Sequence, residues 1–143
     1  MSTARIRRAE FLRATLAKMG APYVWGADGE DTFDCSGLVA FGLLKAGGPD
    51  WRKSHNCERF WKELHPTWTP RCGDLAFFGA KPNGASHVMI ILPFGLVFGA
   101  SGGNSTTTSV EAARAIKAKV KIFTDVNYRP DFLGFRKLPN AVD

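Results

Sequence analysis

Cysteine, histidine and long apolar runs are all scarce in this 143-residue chain, and each scarcity excludes something. Its three cysteines, Cys35, Cys57 and Cys72, are irregularly spaced and form no Cys-x-x-Cys knuckle. Reduced thiols are the expectation, with a Cys57–Cys72 bridge that leaves Cys35 free as the alternative. His55, Cys57, His65 and Cys72 share one span and are all zinc-ligand types, but that spacing argues against a metal centre. No metal and no cofactor is expected. Windows long and apolar enough to span a bilayer are absent too, which argues against stable membrane insertion. Met1 to Arg13 scatters Arg5, Arg7, Arg8 and Arg13 among Ile6, Phe11 and Leu12, unlike the apolar core of a secretory signal. The expectation is synthesis in the cytoplasm without a signal peptide, so that work outside that compartment needs another delivery route. There is no internal repeat.

What is present fits one domain, residues 1–143: hydrophobic residues make up 45% of the chain and charged ones 22%, enough for a real core. A net charge of +6 favours an anionic partner, such as nucleic acid, an anionic membrane or a bacterial wall polymer, and does not choose among them. Basic residues interleave with aromatics in Trp51-Arg52-Lys53 and Arg59-Phe60-Trp61-Lys62. Without a nucleic-acid fold signature, nucleic acid is not the expected partner.

Apolar spacing predicts an amphipathic helix from Thr3 to Met19, ended by Gly20 and Pro22. An extended aromatic segment, Ala21 to Gly26, and a polar loop, Ala27 to Thr32, follow. A second helix runs from Cys35 to about Ala46, stopped by Gly47-Gly48-Pro49, and a short third one covers about Asn56 to Leu64. Beyond Arg71 the period changes to strands at Asp74–Phe78, His87–Leu92, Leu96–Ala100, Val120–Thr124 and Phe132–Leu138. Pro82-Asn83-Gly84 and Pro93-Phe94-Gly95 supply turns, and a weak helix is expected near Val110 to Ala118. Helices first and an antiparallel sheet of about five strands afterwards is the ordering of an α+β domain.

Phe33-Asp34-Cys35-Ser36-Gly37 places a thiol where a turn of small and acidic residues enters an apolar helix. Asp34 and Ser36 are helix-capping types, so Cys35 sits in the first turn. There the unpaired N–H groups and the positive end of the helix dipole favour a thiolate. A buried structural cysteine is the competing reading. A thiol nucleophile needs an imidazole to take its proton. His55, in a polar stretch, reads as a solvated loop residue, and His65 as a helix-end histidine near the last carbonyls. His87 opens the apolar run His87-Val88-Met89-Ile90-Ile91-Leu92, where a titratable group can face a cleft while its neighbours anchor it.

Four motifs then appear in order: Pro22-Tyr23-Val24-Trp25-Gly26, Phe33 to Val39, Gly73-Asp74-Leu75-Ala76-Phe77-Phe78, and Ser86-His87-Val88. Together with the closing Phe132 to Arg136 they resemble the NlpC/P60 family of cysteine peptidases. The resemblance implies a papain-like α+β fold with the cysteine helix packed on an antiparallel sheet that carries the histidine. It implies hydrolysis of amide bonds in peptidoglycan stem peptides, typically between D-γ-glutamyl and a diamino acid. Cys35 becomes the nucleophile and His87 the general base, then acid. Tyr23 matches a tyrosine whose hydroxyl lies near the cysteine, and Asp34 an acidic position that holds the substrate's free amine in some members, helix capping being its other reading. Ser36, Trp25 and Ser86 are the remaining substrate-side candidates, with Trp25 also read as architectural.

The chain departs from the family pattern at one place. A third polar residue, often histidine, is expected on the strand after the histidine strand, and Gly99 aligns there. With a three-residue turn at Pro93 to Gly95, Ser101 falls directly opposite His87 and becomes the candidate third catalytic residue, with Asn104 or a backbone carbonyl as substitutes. The expected partner is a peptidoglycan stem peptide. A phage endolysin released by a holin, a peptidase in a virion tail, and an effector injected by a secretion system all fit. A catalytically silent wall-binding or virion structural module is the alternative from another class.

Overall fold

Residues Leu75–Phe78 and His87–Ile91 are buried along their whole length, as expected of strands covered on both faces. The computed structural model describes residues 4–80 and 84–143. It begins with β1 (Ile6–Arg7), α1 (Arg8–Leu16), α2 (Cys35–Lys45), α3 (Cys57–Glu63) and β2 (Pro66–Thr67). Then come β3 (Leu75–Phe78), β4 (His87–Ile91), β5 (Val97–Ser101), α4 (Val110–Ala115), β6 (Lys119–Phe123), β7 (Phe132–Arg136) and β8 (Ala141–Val142). Six strands form one antiparallel sheet in the order β2-β7-β3-β4-β5-β6, and β1 pairs with β8 in parallel.

Alternation sorts each strand between two apolar layers. Leu75, Phe77, Val88, Ile90, Phe98 and Ala100 join α1 and α2 in the larger core. Ala76, Phe78, Met89, Ile91 and Val97 face the other way, under Phe123, Val126, Tyr128, Phe132 and Phe135. Helix α2 lies between α1 and the sheet and is buried from Cys35 to Leu43, which explains its nearly unbroken apolarity. Asp74 holds the ends of the chain together: it is 2% exposed and accepts hydrogen bonds from Arg8 Nη1 (3.1 Å) and from the backbone N–H groups of Arg71 (2.8 Å) and Leu138 (3.0 Å).

The α+β class and the five main strands agree with the sequence reading, and the differences are local. The first helix starts at Arg8 because the N–H of Ile6 is drawn to Asn140 O (3.0 Å) and that of Arg7 to Ala46 O (3.1 Å), which makes Ile6–Arg7 a strand. It ends at Leu16, and Gly20, at φ +87°, donates to Val120 O. Thr3, Pro82 and Asn83 lie outside the described residues. The last helix stops at Ala115, where Lys117 takes φ +58° and Ala118 N–H donates to Ala113 O. Strand β2 was not expected at all; two residues carry no periodicity to detect. The sheet therefore has six strands instead of five.

Candidate active site

Asp34 sets the geometry of the site through its own capping bonds. Extended at φ −89°, ψ −177°, it accepts from Gly37 N–H (2.7 Å), Gly26 N–H (3.0 Å) and Ser36 Oγ (3.3 Å). This draws the Trp25–Gly26 turn onto the start of α2. A side chain at 37 is impossible there, since a Cβ would lie 2.0 Å from Ala27 O. Cys35 is consequently the first residue of α2, where the helix N–H groups lack intrahelical acceptors. Such a group points at an oxyanion that forms beside the sulfur.

Two groups meet that sulfur. Cys57 Sγ, from the first turn of α3, lies 3.4 Å from Cys35 Sγ, and both side chains are buried. His87 reaches it from the start of β4. Hydrogen bonding to Cys57 pulls the Cys35 thiol well below its ordinary range, and His87 and the Val88 N–H act in the same direction, against the opposing effect of burial. Cys57 is pushed well above the ordinary range by its bond to Cys35 and by burial. Cys35 is thus the thiolate of the pair and Cys57 the thiol that donates to it. This replaces the alternative of a Cys57–Cys72 bridge: all three cysteines are free.

His87 is 6% exposed, and its Nε2 lies 2.7 Å from Tyr128 Oη. The β4–β5 register, Ile90 opposite Phe98 and Ile91 opposite Val97, is the one a three-residue turn dictates. Continued along the strands it sets Ser101 across from His87. Ser101 is buried and acts on the Tyr128 hydroxyl, the same hydroxyl that meets His87. Asn104, the substitute, spends its side-chain oxygen on Thr106, from both N–H (2.9 Å) and Oγ1 (2.6 Å). At Gly99 a Cβ would come within 2.8 Å of Met89 Sδ.

Tyr23, Trp25, Asp34, Cys35, Ser36 and Ser86 all line one cleft of about 330 Å³, closed on the α3 side by Asn56, Cys57 and Glu58. Tyr23 is buried at its wall, and that burial pushes its hydroxyl far above the ordinary tyrosine range. Trp25 is 53% exposed at the rim. Burial, with the charge of Cys35, raises the Asp34 carboxyl to about 6 in spite of its capping bonds.

No histidine is among the residues that line this cleft; His87 directly follows Ser86 of its wall, and the other two lie elsewhere. His55 is packed, not solvated: its ring sits between Trp51 (4.8 Å) and Phe60 (5.0 Å), with Nδ1 on Ser54 Oγ and Nε2 on Glu63. His65 is exposed, and its carbonyl takes the Lys137 N–H on the far side of α3. Among the described residues, no three metal-ligating side chains gather, and the span from His55 to Cys72 is spread over separate surroundings. Sequence reasoning missed two contributors, Cys57 as a partner of Cys35 and Tyr128 as a partner of His87. Tyr128 offered one faint signal, being one of two tyrosines in the chain and the one outside every motif.

The model of the NlpC/P60 family matches residues 20–124. The chain is similar to the bifunctional muramidase/DL-endopeptidase CwlT of Bacillus subtilis, 34% identical over 93 residues, 61% of this chain and 27% of that protein. It is also similar to the probable peptidoglycan endopeptidase LytE of the same organism, 30% identical over 53% of this chain and 22% of the relative. It therefore spans about a quarter of the length of these relatives. Among solved structures, the P60 domain of an antigen of Mycobacterium avium subspecies paratuberculosis superposes with a TM-score of 0.63 at 25% identity, covering 91% of this chain and 92% of that one. The peptidoglycan hydrolase RipB of Mycobacterium tuberculosis gives 0.63 at 24% identity, over 92% and 63%.

Proposed function

The chain belongs to the NlpC/P60 family, and we propose that it is a cysteine peptidase that hydrolyses amide bonds in peptidoglycan stem peptides. The observation that carries this is the Cys35 sulfur at the start of α2, held by Cys57 and His87 and open to the cleft. The Cys35 thiolate adds to the scissile carbonyl, and the oxyanion is met by the Cys35 N–H. His87, protonated by the thiol, returns that proton to the leaving amine. Water, giving a proton to His87, then releases the acid and restores the thiol.

The bond proposed is the one between D-γ-glutamyl and a diamino acid. The name DL-endopeptidase carried by a relative supports it, as do the two carboxylates, Asp34 and Glu58, at the cleft wall, suited to a substrate amine. In this reading Asp34 binds that amine and caps α2 as well, while Tyr23, Trp25, Ser36 and Ser86 contact the peptide. Ser101 acts through Tyr128. The net charge of +6 favours an anionic wall. Among the described residues no helix is long and apolar enough to cross a membrane. The setting proposed is cytoplasmic synthesis followed by phage delivery, by a holin or in a virion tail, with injection by a secretion system as the other route.

Purified sacculi of several wall chemotypes, incubated with the protein and analysed by mass, test the reading. Stem-peptide fragments are expected from the wild type, with release lost and wall binding kept in Cys35→Ala. Equal release by Cys35→Ala, or none by folded wild type with reduced Cys35, would overturn it.

A further inference from the structure

The proposed hydrolysis leaves open what holds His87: Gly99, where the family resemblance leads one to expect a third polar residue, has no side chain to offer. The partner of His87 Nε2 is Tyr128 Oη, at 2.7 Å. Tyr128 comes from neither neighbouring strand. It ends the 3-10 turn Val126–Tyr128 in the β6–β7 connection, which folds back across the outer face of the sheet.

Two aromatic neighbours fix its ring. Phe123 stacks on it at 3.9 Å and 11°, and Phe78 meets it edge-on at 5.4 Å while also packing on His87 at 5.5 Å. The turn itself is capped by Asp125, whose carboxylate accepts the Asn127 N–H at 2.7 Å. Behind the hydroxyl lies Ser101. His87 in turn lies against two rings, Phe78 and Tyr128, and makes one hydrogen bond, and such confinement is what orients an imidazole.

The geometry also selects a tautomer. With Nε2 on Tyr128, Nδ1 is the ring nitrogen left for Cys35, and to take the thiol proton it must be unprotonated. The neutral ring then carries its proton on Nε2, and Tyr128 Oη accepts it. The tyrosine's own proton is then free to turn toward Ser101. When His87 becomes imidazolium during catalysis, both of its N–H groups have acceptors, Cys35 on one side and Tyr128 on the other. Burial pushes the Tyr128 hydroxyl up to about 12, so it remains a neutral hydroxyl at any pH where the enzyme works.

We infer that Tyr128 is the positioning residue for His87, holding it in the Nε2–H tautomer from the face of the sheet opposite α2, with Ser101 as the next member of the chain. This rests on the hydrolase reading, and its test separates the two. Tyr128→Phe keeps the ring and removes the hydroxyl. The expected result is a fall in kcat of about ten- to a hundredfold with KM within about twofold, the loss of one hydrogen bond to a charged group. Ser101→Ala, one bond further out, loses less.

Nitrogen-15 NMR of the histidine rings needs no substrate. Neutral wild-type His87 is expected to carry its proton on Nε2, and Tyr128→Phe to show both tautomers. A wild-type ring protonated on Nδ1, or a Tyr128→Phe enzyme with unchanged kcat and a single tautomer, would overturn the inference. The wild-type spectrum decides even if the variant folds poorly. Wild type that releases no wall fragments yet shows the Nε2–H ring, with mixed tautomers in Tyr128→Phe, would sink the hydrolase reading and leave this one standing.

Discussion

Cys57→Ala removes the group that does most to keep the Cys35 thiol acidic. The two sulfurs are 3.4 Å apart and both side chains are buried at the cleft wall. A hydrogen bond to a charged group contributes about 1.5–3 kcal/mol, and because a thiol is a weak donor the lower end applies. About 1.5 kcal/mol corresponds to roughly a tenfold loss of thiolate where Cys35 is partly protonated. The sign follows from which form reacts. Thiolate is lost as pH falls through the Cys35 pKa; removing the donor raises that pKa, so the loss begins at higher pH. Above both values the two proteins react alike. The rate of iodoacetamide alkylation at Cys35, followed by peptide mass from pH 4 to 9, measures this without a substrate. Cys57→Ser, which returns a hydroxyl donor, is expected to recover most of the lost reactivity at low pH. An acid limb that stays in place or moves to lower pH in Cys57→Ala would refute the argument, and with it the assignment of thiolate and thiol within the pair.

Two further outcomes concern stability. Asp74→Ala leaves the Arg8 guanidinium and two backbone N–H groups without their buried acceptor, a loss of about 3–5 kcal/mol and a fall in Tm of roughly 10 °C by calorimetry; Asp74→Asn, which keeps an acceptor oxygen, is expected to lose less, and equal losses would count against the bonding described. The Asp34 carboxyl is raised to about 6 in the fold, from about 4 in an unfolded chain, so between these values the folded state holds more protons and stability falls as pH rises. Asparagine caps a helix as well as aspartate does, so Asp34→Asn is expected to flatten that decline in urea midpoints at pH 4, 5, 6 and 7, whereas an unaltered slope would exclude Asp34 as its source.

The parts legible in the sequence were those whose signal is local. Helix α2 announced itself through Asp34, the small residues after it and an apolar run, and strands β3 to β5 through continuous burial between turn residues. The Pro93–Gly95 connection even set the β4–β5 register, Ile90 opposite Phe98 and Ile91 opposite Val97. Where contacts are made across the chain, the sequence was silent. Nothing near Ile6 says that Asn140 and Ala46 will claim its backbone and that of Arg7. His55 sits among polar neighbours but packs on Trp51 and Phe60, four residues before it and five after. Cys57 looked like a metal or disulfide candidate because its partner is 22 positions away on another helix. Tyr128 lies 41 positions from His87, in a connection with no period, and reaches it by crossing a face of the sheet.

Met89 Sδ occupies the space into which a side chain at 99 would grow. Holding the imidazole from the neighbouring strand and holding it from the β6–β7 connection are therefore competing solutions for one volume. A histidine grafted at 99 must first evict Met89 from the outer apolar layer, and it would then contend with Tyr128 for the same ring nitrogen. Interconversion between the two arrangements needs coordinated change at 89, 99 and 128, with single steps disfavoured along the way. Chains of this family that carry glycine at the position of Gly99 are expected to show a bulky apolar residue at 89 and a tyrosine or another hydrogen-bonding side chain at 128, a covariation readable from sequence alone.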